Sequence, residues 1–452
     1  MKVLLVSVWR DRYDGDGRAR ELPSLSVLYL AALVPKHVEV EVWHEHVRPL
    51  DLDQVDADIV GLSAMTGAAV RMYDLADKLR ERGHTVFIGG PHASLLPQEA
   101  AKHADAVAVG EGDRTFPQMI ADFERGQLKP MYVEPQGMSL EGLPPPRYDL
   151  LEDGFIIRGY VQATRGCPFH CTFCTLKSID KGFRTRPVDD VLNDIAAVDA
   201  RTWLQRKFVW FWDDNLTGNR AYARELFTRL KPLKKWWWSQ LSIDLALDRD
   251  LVRLAAESGA LAVFVGVETF SAKNLLDYKK RQNRVDEYKK AIQTFHDFGI
   301  AVHAGLIVGM DEDTEESIRL IPEIVEDLEI DLPFVNVLTP FPSTPLYHEM
   351  EAADRLLGLP WERHNANSVT FLPNRMTPEA LEREYWDVRS EVYSIPRTMK
   401  RMGRTLGYAR FGGLAISGYV NSMFMVQNAI KKDRPWETDR VVRAPAGAAL
   451  PA

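Results

Sequence analysis

The sequence predicts an α/β fold in three parts: a doubly wound N-terminal domain, a partial (β/α) barrel and a helical C-terminal region. Two observations set the first two parts. Short apolar runs alternate with helical patterns in two successive series, the signature of parallel strands joined by helices. Between the series the pattern lapses into a stretch containing Pro144, Pro145 and Pro146, where neither helix nor sheet ladder is favoured. A third observation sets the last part: after Met376 the chain turns polar and helical, as in TPEALEREYWDVRSEVY.

In the first series KVLLVSV, LSVLYLAALVP, VEVEVWH, ADIVGLSA, AVRMYDLADKLRERG, HTVFIGG and ADAVAVGEG follow one another. The second series, GYVQATRG, FVWFWDDN, WWSQLSID, LAVFVGVET, AVHAGLIVG and PFVNVLTPF, supplies six strands in βα order, which suits a partial or full barrel. The expected divisions are residues 1–130 for the first domain, 131–155 for a linker, 156–375 for the barrel, 376–440 for the helical domain and 441–452 for a loose tail. From Phe411 to Ile430 there is no charge, but Ser417, Asn421, Gln427, Asn428 and three glycines interrupt the run. A buried or interfacial helix is expected there rather than a membrane span. The basic residues Arg397, Lys400, Arg401, Arg404 and Arg410 precede it. Packing over the barrel is favoured over membrane-surface contact, because the polar interruptions spoil a clean apolar face.

Composition narrows the function. At 452 residues the chain exceeds one ordinary core, and 46% hydrophobic with 27% charged residues is a folded composition. A net charge of −8 argues against a nucleic-acid partner held by phosphate contacts. The tryptophan run Trp236 to Trp238 and the segment FVWFW are therefore strand interiors rather than base-stacking platforms. MKVLLVSVWRDR reaches charged residues too soon for a signal peptide and reads as a first strand, so a cytoplasmic location is expected.

The three cysteines of the chain lie within eight residues, in ATRGCPFHCTFC. Cys167, Cys171 and Cys174 are separated by three and then two residues, a spacing for a loop around a metal centre rather than for a disulfide framework. Three thiolates hold three irons of a four-iron cluster and leave the fourth open for a substrate. The alternative is a zinc site completed by His170, although structural zinc sites recruit four ligands. The loop follows a strand at the mouth of the expected barrel, where such folds place their chemistry.

This motif, with Phe173 before the last cysteine, resembles the radical S-adenosylmethionine (SAM) superfamily. The resemblance implies a 4Fe-4S cluster whose free iron binds the amino and carboxylate groups of SAM, and reductive cleavage to a 5′-deoxyadenosyl radical. It also implies a small-molecule substrate and an electron donor of the flavodoxin or ferredoxin type. The family's glycine-glycine-glutamate motif is absent, and Asp213 and Asp214 in FWDDN stand at the matching strand end. Glu268 in GVETF matches an acidic SAM contact, and Gly305 and Gly309 in GLIVGMDED match the segment that passes the adenine.

The first domain resembles the Rossmann-like cobalamin-binding domain found ahead of many radical SAM barrels, on VGLSAMTG, FIGGPHAS and AVGEGD. That resemblance implies a cobalamin site at Ser63, Met65, Thr66, Gly89, Gly90, His92 and Glu111. Glycines at a strand's carboxyl end open the crevice where ligands of such sheets sit. The aspartate-x-histidine-x-x-glycine motif that supplies a cobalt ligand is missing, and His44 and His46 have the wrong pattern. The leading reading is a cobalamin-dependent radical SAM methyltransferase acting on an unactivated carbon of a small or lipid-like biosynthetic intermediate. The alternative keeps both cofactors but oxidises, cyclises or rearranges its substrate. Methylthiotransferases need further cysteines, and none is left over.

Overall fold

The computed structural model describes residues 1–9, 23–134, 137–179 and 182–426. The expected tail at 441–452, and residues 427–430 of the uncharged run, lie outside the described residues. The chain divides into two units.

The first unit comprises residues 1–166, 175–212 and 341–344. Its main sheet is built from β1 (Lys2–Ser7), β2 (Glu39–His44), β3 (Ile59–Ser63), β4 (Thr85–Gly89), β5 (Ala106–Val109) and β6 (Met131–Val133). The helices α1 (Leu25–Leu33), α2 (Ala69–Glu81), α3 (Gly90–Leu95), α4 (Pro97–Ala100) and α5 (Gly112–Glu124) connect them. The strand order is β2-β1-β3-β4-β5-β6, and every pairing is parallel. β1 is apolar on both faces, as a strand covered on both sides must be. The order reverses between β1 and β3, and in such sheets ligands bind beyond the carboxyl ends at that switch point. The stretch 131–155, expected as a linker, supplies β6 and buries Tyr148, Leu151 and Phe155 in this unit's core. The unit also holds β7 (Tyr160–Val161), β8 (Thr164–Arg165), α6 (Leu176–Ile179), β9 (Arg184–Thr185), α7 (Val188–Ala197), α8 (Trp203–Lys207) and β10 (Phe208–Phe211). β7 pairs in parallel with β10, and β8 pairs antiparallel with β9.

Among the described residues, the second unit comprises 167–174, 213–340 and 345–426. It continues the βα alternation through α9 (Arg220–Leu230), β11 (Trp236–Leu241), α10 (Arg249–Ser258), β12 (Ala260–Glu268), α11 (Ala272–Asp277), α12 (Tyr288–Asp297), β13 (Ala301–Val308), α13 (Glu315–Arg319), α14 (Ile321–Asp327) and β14 (Leu332–Val337). β11 to β14 lie side by side in chain order, all parallel. Local signals set the helix ends. Asp248 caps α10 by accepting from Leu251 N at 2.9 Å, and Gly259 ends it at φ +112°, where a Cβ would strike Lys235 O. The unit closes with α15 (Pro345–Ala352), α16 (Pro378–Val392), α17 (Ile395–Thr405) and α18 (Phe411–Val426). All six strands expected for the second series are therefore present, as β7 and β10 to β14. No described helix is long and apolar enough to cross a membrane.

Candidate active site

The cysteine loop leaves β8 through Gly166, whose φ of +84° makes a left-handed turn. Backbone bonds then hold it in the second unit: Thr172 N donates to Tyr278 O and Leu346 N donates to Thr172 O, each at 3.1 Å. Cys174 N donates to Cys171 O at 3.2 Å. The Phe173 ring packs on Tyr278, with centroids 6.2 Å apart. Cys171 is buried, Cys167 and Cys174 are half-buried, and His170 is exposed. Among the described residues no three His, Cys, Asp or Glu side chains converge on a single metal ion. A four-iron cluster makes no such demand, because its cysteines bind different irons.

The donors around these thiols suit such a cluster. Asn215 Nδ2 lies 3.8 Å from Cys167 Sγ and 2.9 Å from Ser242 Oγ. Gln282 hydrogen-bonds Cys171, and Lys280 acts electrostatically on Cys171 and Cys174. Burial pushes the Cys171 thiol above its ordinary range, against the pull of Lys280. Donors aimed at sulfur and a cation beside it are what a buried, negatively charged iron–sulfur cluster needs from its surroundings.

Glu268 ends β12 at a register shift after Gly266, with a left-handed φ of +66°. Such an irregularity re-aims a side chain at a strand end. Its Oε1 accepts from Lys280 Nζ at 2.7 Å, and the two side chains are 12% and 13% exposed. Burial alone would lower the pKa of Lys280, but Glu268 and the neighbouring thiolates hold the ammonium above its ordinary range.

The remaining expected SAM contacts fall in distinct environments. Asp213 is buried whereas Asp214 is exposed. At Gly305 a Cβ would come within 2.9 Å of the Phe264 ring. At Gly309, φ +91°, a Cβ would come within 2.6 Å of Leu381, so α16 packing requires a glycine there. The Gly309 and Met310 amides donate to Asp313 Oδ2 at 2.9 and 3.0 Å, while burial raises Asp313 to a pKa of about 6.

In the first unit, Ser63 and Gly89–Gly90 end the adjacent strands β3 and β4. Gly90 has φ +88°, and a Cβ there would lie 2.2 Å from Ser63 Oγ. Only glycine fits beside Ser63 here, and the pair stands at the carboxyl ends of the strands, where sheets of this kind bind their ligands. Met65 is exposed beside them. Thr66 and His92 are buried, with His92 Nδ1 3.3 Å from Thr66 Oγ1 and Nε2 3.3 Å from Glu99 Oε1. Glu111 binds Arg184 and lies 3.2 Å from Arg165, which also pairs with Asp113 at 2.7 Å. These three polar side chains are thus tied within the protein. His44 and His46 pack edge to face at 5.5 Å beside Phe155, and burial lowers His44 to a pKa of about 3.

Sequence reasoning did not single out Asn215, Ser242, Tyr278, Lys280 or Gln282. Asn215 sits inside the quoted FWDDN, but the charged run YKKRQNR reads as a solvated turn, and no spacing marks Lys280 or Gln282.

The radical SAM superfamily profile matches residues 161–323, the B12 binding domain profile residues 17–120, and a domain of unknown function, DUF4070, residues 344–411. Bacteriochlorophyllide d C-12(1)-methyltransferase of Chlorobaculum tepidum is 27% identical over 416 residues, covering 90% of this chain and 91% of that protein. Hopanoid C-2 methylase of Rhodopseudomonas palustris is 26% identical over 408 residues, covering 87% and 75%. The solved structure of the radical SAM methyltransferase TsrM from Kitasatospora setae, with cobalamin and a 4Fe-4S cluster bound, aligns with a TM-score of 0.65 at 14% identity, covering 87% and 88%. At that identity the likeness is one of fold. With a thiol loop in its radical SAM domain and the Gly89–Gly90 pair at a strand end of its B12-binding domain, the chain belongs to the cobalamin-binding-domain radical SAM enzymes.

Proposed function

We propose that this enzyme is a cobalamin-dependent C-methyltransferase acting on an unactivated carbon of an apolar intermediate, in the class of the tetrapyrroles and polycyclic lipids that its relatives are named for. The observation that carries the reading is one chain holding both a thiol loop flanked by Asn215, Lys280 and Gln282 and the Ser63–Gly90 strand ends. When bound, the cluster with SAM supplies hydrogen-atom abstraction, and cobalamin supplies the methyl group.

The protein's own part is ligation, charge and position. Cys167, Cys171 and Cys174 each hold one iron, while Lys280 and Asn215 offset the negative charge gathered there. Glu268 and one of Asp213 and Asp214 accept from the SAM amino group, Gly305 and Gly309 border its adenine, and Phe173 wedges the loop against Tyr278. Ser63, Gly89, Gly90 and Met65 border the cobalamin, and Thr66, His92 and Glu111 support that rim through their internal bonds. The domain limits expected from the sequence, a ferredoxin- or flavodoxin-type donor and a cytoplasmic location belong to the same reading.

Anaerobic reconstitution with iron, sulfide, SAM and hydroxocobalamin tests it, using tetrapyrrole and triterpenoid acceptors. The expected outcome is an acceptor gaining one methyl group, with release of both S-adenosylhomocysteine and 5′-deoxyadenosine. Each Cys→Ala variant abolishes 5′-deoxyadenosine formation. Failure to retain cobalamin refutes the reading, and product without S-adenosylhomocysteine replaces it with a non-methylating radical reaction.

A further inference from the structure

The last two described helices are inside out. A surface helix ordinarily turns its apolar stripe inward and its polar face to water. α18 instead buries Gly412, Gly413, Ser417, Gly418 and Asn421 and presents Phe411, Ala415, Tyr419 and Val426 outward. α17 does the same, burying Thr398, Arg401 and Thr405 while exposing Ile395 and Met399, with Leu406 exposed at its C-cap. On each helix the outward residues recur at helical spacing, so each forms one stripe.

The inward side is built for docking. Asn421 Nδ2 donates to Asp331 O at 2.9 Å, Thr405 Oγ1 to Asp331 Oδ1 at 2.6 Å, and Arg401 to Asn421 Oδ1 at 3.2 Å. His303 Nε2 lies 2.9 Å from Ser417 Oγ, and the glycines let α18 approach within reach of the Leu261 backbone. Polar bonds, close backbone contact and the Phe424 ring against Phe334 and Tyr393 hold the hairpin, so Ile395, Met399, Leu406, Phe411 and Tyr419 are left on its outer side. Phe411 is 78% and Leu406 63% exposed. A stripe of this kind on a folded protein marks an interaction surface.

Charge indicates what covers it. Between Ile395 and Lys432 the chain has seven basic residues, Arg397, Lys400, Arg401, Arg404, Arg410, Lys431 and Lys432, and no acidic one, within a protein of net charge −8. Glu323, Glu326 and Glu391 from neighbouring elements pair with Arg397, Lys400, Arg401 and Arg404, and one guanidinium nitrogen of Arg410 donates to Ala256 O. Lys400 nevertheless keeps a 69% exposed side chain, α18 itself is uncharged, and Arg410 sits exposed at its start. Apolar stripes with basic residues beside them and no acidic one of their own suit an anionic bilayer surface.

We propose that the outer face of α17 and α18 docks on anionic lipid, seating Ile395, Met399, Leu406, Phe411 and Tyr419 at the headgroup boundary. The inference stands on this hairpin alone and is independent of the reaction catalysed. Flotation of the reconstituted full chain with vesicles tests it, comparing phosphatidylcholine with an equal mixture of phosphatidylcholine and phosphatidylglycerol. The chain floats with the mixed vesicles, and less so with phosphatidylcholine alone. Phe411→Ser with Leu406→Ser lowers the bound fraction at least about tenfold, since each removes a side chain that lipid would bury. Both sites are exposed, so the variant's circular dichroism and melting temperature stay at the parent values. A second variant, Lys400→Gln with Arg410→Gln, weakens binding to the mixed vesicles only. Equal flotation of parent and variants overturns the proposal. So does a parent that does not float but sediments as a dimer abolished by the serine variant, and so does flotation that appears only when the chain ends at Val426.

Discussion

The bond between His303 and α18 makes docking of the C-terminal hairpin depend on pH, and its size follows from the geometry. Trp238 Nε1 lies 3.0 Å from His303 Nδ1, and an indole nitrogen only donates, so Nδ1 accepts and the proton resides on Nε2, facing Ser417 Oγ at 2.9 Å. Protonation at Nδ1 would set two donors against each other in a buried site. Burial accordingly lowers His303 to a pKa of about 4, with Asp331 opposing weakly. Because the docked pKa is depressed, the undocked state binds the proton more tightly. Docking is complete above pH 6.5, weakens as the pH falls from there, and levels off below about 4. At pH 5 the loss relative to pH 8 is about 2 kcal/mol, or about a 30-fold fall in amide protection across α18. Hydrogen exchange read by mass spectrometry, corrected for intrinsic rates, measures it. His303→Gln keeps an acceptor and a donor but does not titrate, so its α18 protection should change little between the two pH values. An equal fall in parent and variant would refute the reasoning.

Three further outcomes follow from buried groups elsewhere. Lys280→Met leaves Glu268 uncompensated and costs about 3–5 kcal/mol in chemical denaturation, and adding Glu268→Gln recovers most of it. Iron retained per chain falls in the single variant, because the thiolates lose their neighbouring cation. Gly90→Ala forces an L side chain to φ +88° and drives its methyl onto Ser63 Oγ, costing about 1–3 kcal/mol. Cobalamin absorbance after gel filtration should drop with it, and Ser63→Gly added to Gly90→Ala should restore only the part due to the clash. Arg186→Met strands Asp194, which Arg186 and Tyr29 bind in the interior of the first unit. Burial already raises the Asp194 pKa against the pull of Arg186. Without the guanidinium it rises further, so the variant is least stable at high pH and recovers towards the parent as acid protonates Asp194. Denaturation midpoints at pH 5 and pH 8 check the sign.

Much of the architecture was legible because it rests on periodic patterns. The two βα series, the six strands of the second, and the helices after Met376 follow from alternation of apolar runs with amphipathic ones, and all are present. The cysteine spacing was legible for a related reason: residues four and three apart on one loop are neighbours whatever the rest of the fold does. Gly89–Gly90 were likewise readable, since a glycine pair at a strand end has few uses besides a close backbone approach.

Only the tertiary structure decided what surrounds those thiols and which way the C-terminal helices face. Lys280, Gln282 and Asn215 come from segments 41 to 115 residues away from the cysteines, and the contacts of such side chains depend on how the strands between them stack. Gly305 and Gly309 were read from sequence as a segment passing close to adenine, and only the fold shows that a Cβ there would also meet Phe264 at 2.9 Å and Leu381 at 2.6 Å. The polar interruptions of 411–426 predicted a helix too polar for a membrane span. Their positions alone did not show that Ser417, Asn421 and the glycines face inward, with Ser417 and Asn421 on His303 and Asp331, and leave Phe411, Ala415, Tyr419 and Val426 outside. Local sequence determines a helix and its stripes, but which stripe is buried is settled by the partner it meets.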